Sequence, residues 1–222
     1  DIQKREHDLV AATFGRGFYV LDNYSPLRHL SKENLDKKAH IFPIEDALLY
    51  VQADPLGLEG TGFQGANLWA TPNPDFGATF TYNIKDEYKT LKEQRQEKEA
   101  ALEKDKKAVD YPTFDALRLE EQEIPAQLLF SIRSEKGTEI RRLTASPTKG
   151  TSRITWNLRG ESTNQISMNN GNNKNNGFLV PAGKYTVEAY LVHNGTATLI
   201  TDKTPFTVKA LKNQKSVTYK TR

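Results

Sequence analysis

The sequence contains no cysteine, which excludes both a disulfide framework and a thiolate metal ligand or nucleophile. It also lacks any apolar run approaching the roughly 20 residues of a membrane-spanning helix, so we expect no membrane span. The 31 basic and 28 acidic residues almost balance and form no long block of one sign. Since nucleic-acid binding is typically signalled by a clustered basic face, the composition does not favour that function.

The chain has 222 residues, enough for one or two domains with a buried core. It begins with DIQKREHD, a stretch without methionine that is too charged for a signal peptide. We therefore expect the chain to be an internal piece of a longer protein.

Residues 7–23, HDLVAATFGRGFYVLDN, hold two runs rich in Val, Phe, Tyr and Leu on either side of Gly15-Arg16-Gly17. Glycines can supply the positive φ angles of a tight reversal, so this segment predicts a β-hairpin. A two-stranded hairpin alone is marginally stable in water, and we expect its sheet to be completed by strands elsewhere, for example upstream of Asp1. Its open edges also allow strand exchange with a second copy, so a homodimer through the hairpin is one candidate assembly.

Residues 31–76 are assigned to a linker with a short helix and a Gly/Pro-rich loop. Ser31 is a suitable N-cap for the helix, and AHIFPIEDALLYVQ after it contains an extended piece, a proline and a second apolar run. Residues 53–75 are rich in Gly, Pro and Asn and predict a long surface loop. The GLEGTGFQG segment of this loop lacks the Lys-Ser/Thr and the strand-to-helix context of a phosphate-binding loop.

A helical hairpin is predicted for about residues 85–123, after a strand at residues 77–84. Residues 85–109 contain no Gly or Pro and are dominated by Glu, Lys, Gln and Ala, which predicts a largely solvated helix. Pro112 then breaks the pattern, and Thr113 can cap a second short helix that ends before Pro125. The thin apolar face of the first helix is expected to combine Ile84, Tyr88, Leu91, Leu102 and Val109.

Strand signals dominate residues 126–210. Short runs with alternating apolar residues recur there, and Asn194-Gly195 between two of them is a strong hairpin signal. The tract ESTNQISMNNGNNKNNG interrupts these runs and predicts a loop. The spacing favours a mainly β fold, an antiparallel β-sandwich over residues 77–210 with the helical hairpin inserted, and a tail at residues 211–222.

The motifs GTEIRRLTAS, KGTSRITWNLRG and PAGKYTVEAYLV resemble the immunoglobulin-like (Ig-like) C-terminal domain of flagellar hook-capping proteins and of many secreted bacterial enzymes. The residues that carry the likeness are Gly150, Trp156, Leu158, Pro181, Ala182, Gly183 and Tyr185. The match covers roughly the last hundred of the 222 residues. The resemblance implies an Ig-like sandwich and, by itself, no particular function.

The segment HDLVAATFGRGFYVLDNYSPLR, followed by AHIFP and NPDFGATFTY, is similar to a junction in large secreted bacterial proteins of the sortilin-like or BNR-repeat glycosyl hydrolase type. In those proteins a β-propeller closes at this junction and an Ig-like domain follows. The resemblance implies that residues 1–30 are the last strands of a propeller blade and that the upstream propeller is the partner. It also implies a secreted, periplasmic or cell-envelope location. Ala12 and Phe14 stand where the pattern usually has Gly and often His.

No catalytic, cofactor-binding or metal-binding residue is expected in this chain. The repeat signature S-x-D-x-G-x-T-W is absent, and Trp156 in TSRITWNL is expected in the core. Asp and Glu are concentrated on the predicted helical hairpin, where a solvated face explains them better than the paired carboxylates of glycoside hydrolysis. The histidines follow no metal-ligand spacing: His7, His29, His40 and His193. A glycosyl hydrolase activity, which the resemblance implies, would belong to the longer protein.

The leading interpretation is a non-catalytic accessory domain that packs against the upstream propeller and covers its closing edge. One alternative is a carbohydrate-binding module, because exposed aromatic side chains can stack on the sugar rings of a polysaccharide. Its candidate contacts, for which packing against a neighbouring domain is the competing role, are Phe63, Trp69, Phe76 and Tyr190. The other alternative is docking of a partner through the helical hairpin.

Overall fold

The computed structural model describes residues 2–4, 7–15, 17–50, 73–162 and 177–211. Within these ranges the protein is mainly β, which confirms the fold class at that level. The strands are β1 (Ile2–Gln3), β2 (Asp8–Ala12), β3 (Phe18–Leu21), β4 (Ala39–Ile41), β5 (Ala47–Leu49), β6 (Ala78–Ile84), β7 (Gln127–Ser134), β8 (Glu139–Ala145), β9 (Gly150–Trp156), β10 (Gly183–His193), β11 (Thr196–Leu199) and β12 (Thr204–Ala210). The helices are a 3₁₀ helix (Ser25–His29), α1 (Lys32–Asp36), α2 (Leu91–Lys104) and α3 (Phe114–Gln122). No helix within these ranges is long and apolar enough to cross a membrane.

The predicted β-hairpin is confirmed as the pair β2–β3, and we call the sheet that contains it the hairpin sheet. Its turn uses positive φ angles at Gly15 (92°) and Gly17 (133°), and the Thr13 amide donates to the Gly17 carbonyl at 3.1 Å. A third strand, β1, pairs antiparallel with β2 in the register Ile2↔Leu9. The sequence did not reveal this strand because two residues are too few to show an alternating pattern.

Two further sheets pack face to face around one core, and we call this pair of sheets the sandwich. The larger has the strand order β5-β12-β10-β7-β8, with β11 also paired to β10, and the smaller has the order β4-β6-β9. Aromatic rings interlock between the sheets: Phe80 lies 5.3 Å from Phe206, and Tyr82 lies 4.9 Å from Phe130, between ring centroids. The residues of β10 are alternately buried and partly exposed along its length, as expected when one face of a strand covers a core. The finer, Ig-like assignment stays a prediction.

Residues 39–49 contribute an edge strand to each of these two sheets. β4 pairs antiparallel with β6 (Ala39↔Ile84), whereas β5 pairs in parallel with β12 (Ala47↔Val208). The sequence suggested only extended pieces within a linker here. The strands were missed because each has three residues and because the partner of β5 lies far along the chain, where no local pattern can indicate it.

Gly77 allows an unusually close approach between the start of β6 and the end of β9. Its φ angle is +137°, and a Cβ atom at this position would lie 1.8 Å from the carbonyl oxygen of Trp156. Glycine is therefore required where the predicted strand begins, because a larger residue would collide with backbone that cannot move aside.

The predicted helical hairpin is confirmed as α2 and α3, which lie between β6 and β7. The first helix starts later than expected, because Thr90 and Glu93 form a capping box at its N-terminus. Ile84 consequently belongs to β6, while Tyr88 and Val109 lie outside the helix, so the predicted five-residue apolar face is wrong. The predicted N-cap of the second helix is correct, since the Thr113 hydroxyl accepts a hydrogen bond from the Ala116 amide.

Candidate functional site

The hairpin sheet exposes large apolar side chains on both of its faces. Phe14 at the turn is fully exposed, and Phe18, Tyr19 and Val20 of β3 retain 74%, 66% and 55% of their accessible surface. Because successive side chains of a strand point to opposite faces, neither face of β3 is covered. The outer edge of β3 also has no strand partner among the described residues. Such a surface is characteristic of an interaction site.

Arg153 of β9 attaches the hairpin sheet to the sandwich, in a contact that we call the Arg153 clamp. Its guanidinium group donates from Nη1 to the Asp22 carbonyl and from Nη2 to the Asn23 carbonyl, both at 2.7 Å. The planar guanidinium fork thus holds two successive backbone carbonyls at the end of β3. Sequence reasoning missed this residue, because the alternation of TSRITW indicates only that Arg153 lies on a strand.

Two other contacts lie beside the strands of the hairpin sheet, one just before β2 and one just after β3. The ring of His7 contacts the carboxylate of Glu45, which lies between β4 and β5. The Asn23 side chain accepts hydrogen bonds from the amide and hydroxyl of Ser25, at 3.0 and 2.5 Å. Pro26 is buried directly afterwards, so the chain is turned onto the sandwich within a few residues.

The proposed carbohydrate contacts do not form a shared aromatic surface within the described residues. Phe63 and Trp69 lie outside the described residues. Phe76 is half-buried, packs against the core and meets Tyr50 edge-on at 4.8 Å. Tyr190 lies on the outer face of β10, and its hydroxyl donates to Glu188 at 3.2 Å. Phe76 therefore packs against the core formed by the two large sheets.

The outer face of the larger sheet carries a network of charged side chains next to Tyr190. Glu139 accepts hydrogen bonds from the Ser131 hydroxyl at 2.7 Å and from Arg142 at 2.6 Å. Burial raises the pKa of Glu139, but these hydrogen bonds and the nearby cations outweigh that effect and lower the pKa below its usual value. An ionised carboxylate held by cations in this way supports a structural role, because a general acid needs a raised pKa.

The two helices of the insertion are joined by a charge cluster. The Arg95 guanidinium donates to both carboxylate oxygens of Glu120, at 2.7 and 3.0 Å, and to Glu99 at 2.7 Å. The hydrogen bond from Arg95 holds the pKa of Glu120 below its usual value, despite some opposing desolvation. Arg95 and Glu120 are 25 residues apart, so the sequence indicated charged helices but not this pairing.

The described histidines lie in separate surroundings. His40 meets Phe42 edge-on at 5.0 Å, and burial, assisted by the charge of Lys37, lowers its pKa. His193 instead meets Tyr88 at 6.2 Å, at the base of the helical hairpin. Among the described residues, no group of three or more His, Cys, Asp or Glu side chains is arranged to hold a metal ion.

A scan of family models, a search of curated protein sequences and a search of solved structures found no match to this chain. The functional interpretation therefore depends on the residues and contacts described above. The likeness to Ig-like domains and to propeller junctions stays a prediction that rests on the motifs in the sequence.

Proposed function

We propose that this chain is a non-catalytic accessory region whose sandwich holds the hairpin sheet in a fixed orientation for docking against the rest of a longer β protein. The exposure of apolar side chains on both faces of β3 is the observation that most directly supports this proposal. A three-stranded sheet that leaves both faces of β3 uncovered buries too little apolar surface to be stable alone. A covering partner would supply the missing burial, and the upstream propeller suggested by the sequence resemblance fits that role.

An Ig-like identity of the sandwich is part of the same proposal. The buried Trp156 packs on Tyr185 at 5.6 Å, and the Tyr185 hydroxyl donates to the Pro181 carbonyl at 2.7 Å. A buried Trp between the sheets and a Tyr bonded to backbone a few residues upstream are recurrent features of Ig-like sandwiches. The PAGKY motif would then be explained by this bond, since Pro181 supplies the acceptor and Tyr185 the donor.

Amide hydrogen exchange tests the docking proposal. We would compare residues 18–21 in the isolated chain with the same residues in the protein translated from the complete gene. The proposal predicts faster exchange in the isolated chain, because the free edge of β3 would be paired or covered in the longer protein. Equal exchange in the two proteins would contradict it, and the amides of β7 serve as the internal control because they lie inside the sandwich.

Partner docking through the helical hairpin remains a second candidate. Tyr111 and Phe114, close together before and at the start of α3, retain 84% and 86% of their accessible surface. If the tip of the helical hairpin docks a partner in the longer protein, the double variant Tyr111→Ser/Phe114→Ser should weaken that contact. Trypsin should then cleave α2 of the longer protein faster, whereas its cleavage of the isolated chain should be unchanged. Identical cleavage of variant and parent in both proteins would count against this candidate.

A further inference from the structure

A crevice of about 760 Å³ lies where the helical hairpin meets the sandwich. Its walls come from the segment before α2, from the C-terminal part of α3 and from the β10–β11 turn. Tyr88 and His193 both line the crevice, and their rings meet edge-on with 6.2 Å between their centroids. The volume falls within the roughly 300–1,000 Å³ of typical ligand sites in proteins.

The charged side chains that line the crevice are already engaged. Lys89 pairs with Glu87 at 3.2 Å and also contacts Glu97. Glu123 accepts a hydrogen bond from the Leu91 amide at 2.6 Å, at the first turn of α2. Because these charges already have partners, a neutral ligand can bind beside them without disturbing the pairs.

Several neutral polar groups in the crevice are available for a ligand. The side-chain amides of Gln122 and Asn194 and the hydroxyl of Tyr88 make no hydrogen bond to another described residue, although all three residues line the crevice. The amide nitrogen of Gln94 donates to the Lys89 carbonyl at 3.0 Å, which leaves its oxygen as an acceptor. Amides and hydroxyls both donate and accept, and this versatility matches the hydroxyl groups of a sugar.

Two exposed leucines also line the crevice. Leu91 and Leu119 retain 44% and 61% of their accessible surface there. The aromatic and aliphatic side chains of the lining suit the C–H faces of sugar rings, while the amides suit their hydroxyls. We propose that this crevice binds a neutral oligosaccharide, a function that is independent of docking by the hairpin sheet.

Titration calorimetry of the 222-residue chain tests this site. The probes are cellohexaose, xylohexaose and chitohexaose as neutral oligosaccharides, hexagalacturonate as a charged one, and penta-alanine as a neutral peptide. We expect saturable binding of at least one neutral oligosaccharide. Absence of heat with all three, or tighter binding of hexagalacturonate or penta-alanine, would overturn the proposal.

Two variants place the binding in the crevice. Gln122→Ala removes an exposed side-chain amide from α3. Asn194→Gly removes the side-chain amide of the β10–β11 turn and keeps a residue that suits the positive φ angle there. Each should weaken binding of the neutral oligosaccharide about three- to tenfold, the usual effect of one lost hydrogen bond. Gln96→Ala, an amide deletion on α2 outside this crevice, is the matched control and should leave binding unchanged. Equal affinities of all variants would contradict the assignment of the site.

Discussion

Trp156 shows how one residue holds the two large sheets together. It is fully buried, its indole nitrogen donates to the Arg159 carbonyl at 2.8 Å, and its ring contacts Tyr185 and Phe206 of the opposite sheet. We expect Trp156→Ala to lower the free energy of unfolding by about 3–5 kcal/mol, because it leaves a large cavity and breaks that hydrogen bond. Urea unfolding measures this change in the free energy of unfolding. The exposed Tyr111→Ala should stay within about 0.5 kcal/mol of the parent, and an equally small effect at Trp156 would contradict its place in the core.

We expect the Arg153 clamp to affect the orientation of the hairpin sheet more than the stability of the sandwich. Arg153→Lys keeps the charge but cannot present two parallel donors to the carbonyls of Asp22 and Asn23. We expect the sandwich to unfold at nearly the same urea concentration, whereas amide exchange in residues 18–24 becomes about three- to tenfold faster. Arg118→Lys on the exposed side of α3 is the control. If exchange in the hairpin sheet is unchanged in Arg153→Lys, the clamp does not hold this sheet.

Among the elements, the two helices of the helical hairpin are linked by the ion pair between Arg95 and Glu120. The folded pKa of Glu120 lies below its usual value, so the pair contributes its full stabilisation above the unfolded pKa of about 4.3 and loses it as the pH falls through the lower folded pKa. Far-UV circular dichroism between pH 7 and pH 2 should show helix loss only near the acid end in the parent chain. Glu120→Gln should already be less helical at pH 7, with Glu121→Gln as the control. A parent and a Glu120→Gln variant with the same helicity at pH 7 would exclude this role.

Elements with local signals could be predicted from the sequence. The turn glycines of the first hairpin, the Thr113 cap and Asn194-Gly195 all specify backbone geometry within a few residues, and the structure has the corresponding elements. Elements without such local signals could not be predicted from the sequence. β4 and β5 are too short to show a period, and the start of α2 is set by the capping box at Thr90, which overrides the helical composition of the preceding residues.

The candidate site was less predictable than the fold. The sequence identified the hairpin, but not that β3 would remain bare, because exposure depends on which strands are placed beside it. Arg153 was not recognised either, because the backbone carbonyls that it binds lie about 130 residues earlier in the chain. The crevice at Tyr88 and His193 likewise joins distant segments, and only their arrangement in space brings neutral hydrogen-bonding groups together.

At the scale of the whole molecule, the hairpin sheet lies outside the core. The core cluster among the described residues begins at Ala39, so it contains no residue of the hairpin sheet. We expect deletion of residues 1–30 to leave a cooperative urea transition and to reduce the free energy of unfolding by no more than about 2 kcal/mol, through loss of the Arg153 clamp and the buried Pro26. Disappearance of the transition would show that the sandwich needs the hairpin sheet to fold.

Thiol labelling of a single introduced cysteine tests the central claim, that the bare hairpin sheet is covered by the rest of a longer protein. The chain has no cysteine of its own, so Val20→Cys on β3 and Leu199→Cys on β11 each report one site of comparable exposure. In the isolated chain both should react rapidly with a maleimide. In the protein from the complete gene, with any native thiols replaced, we predict that labelling at position 20 slows at least tenfold while labelling at position 199 is unchanged. Equally rapid labelling at position 20 in both proteins would contradict the account.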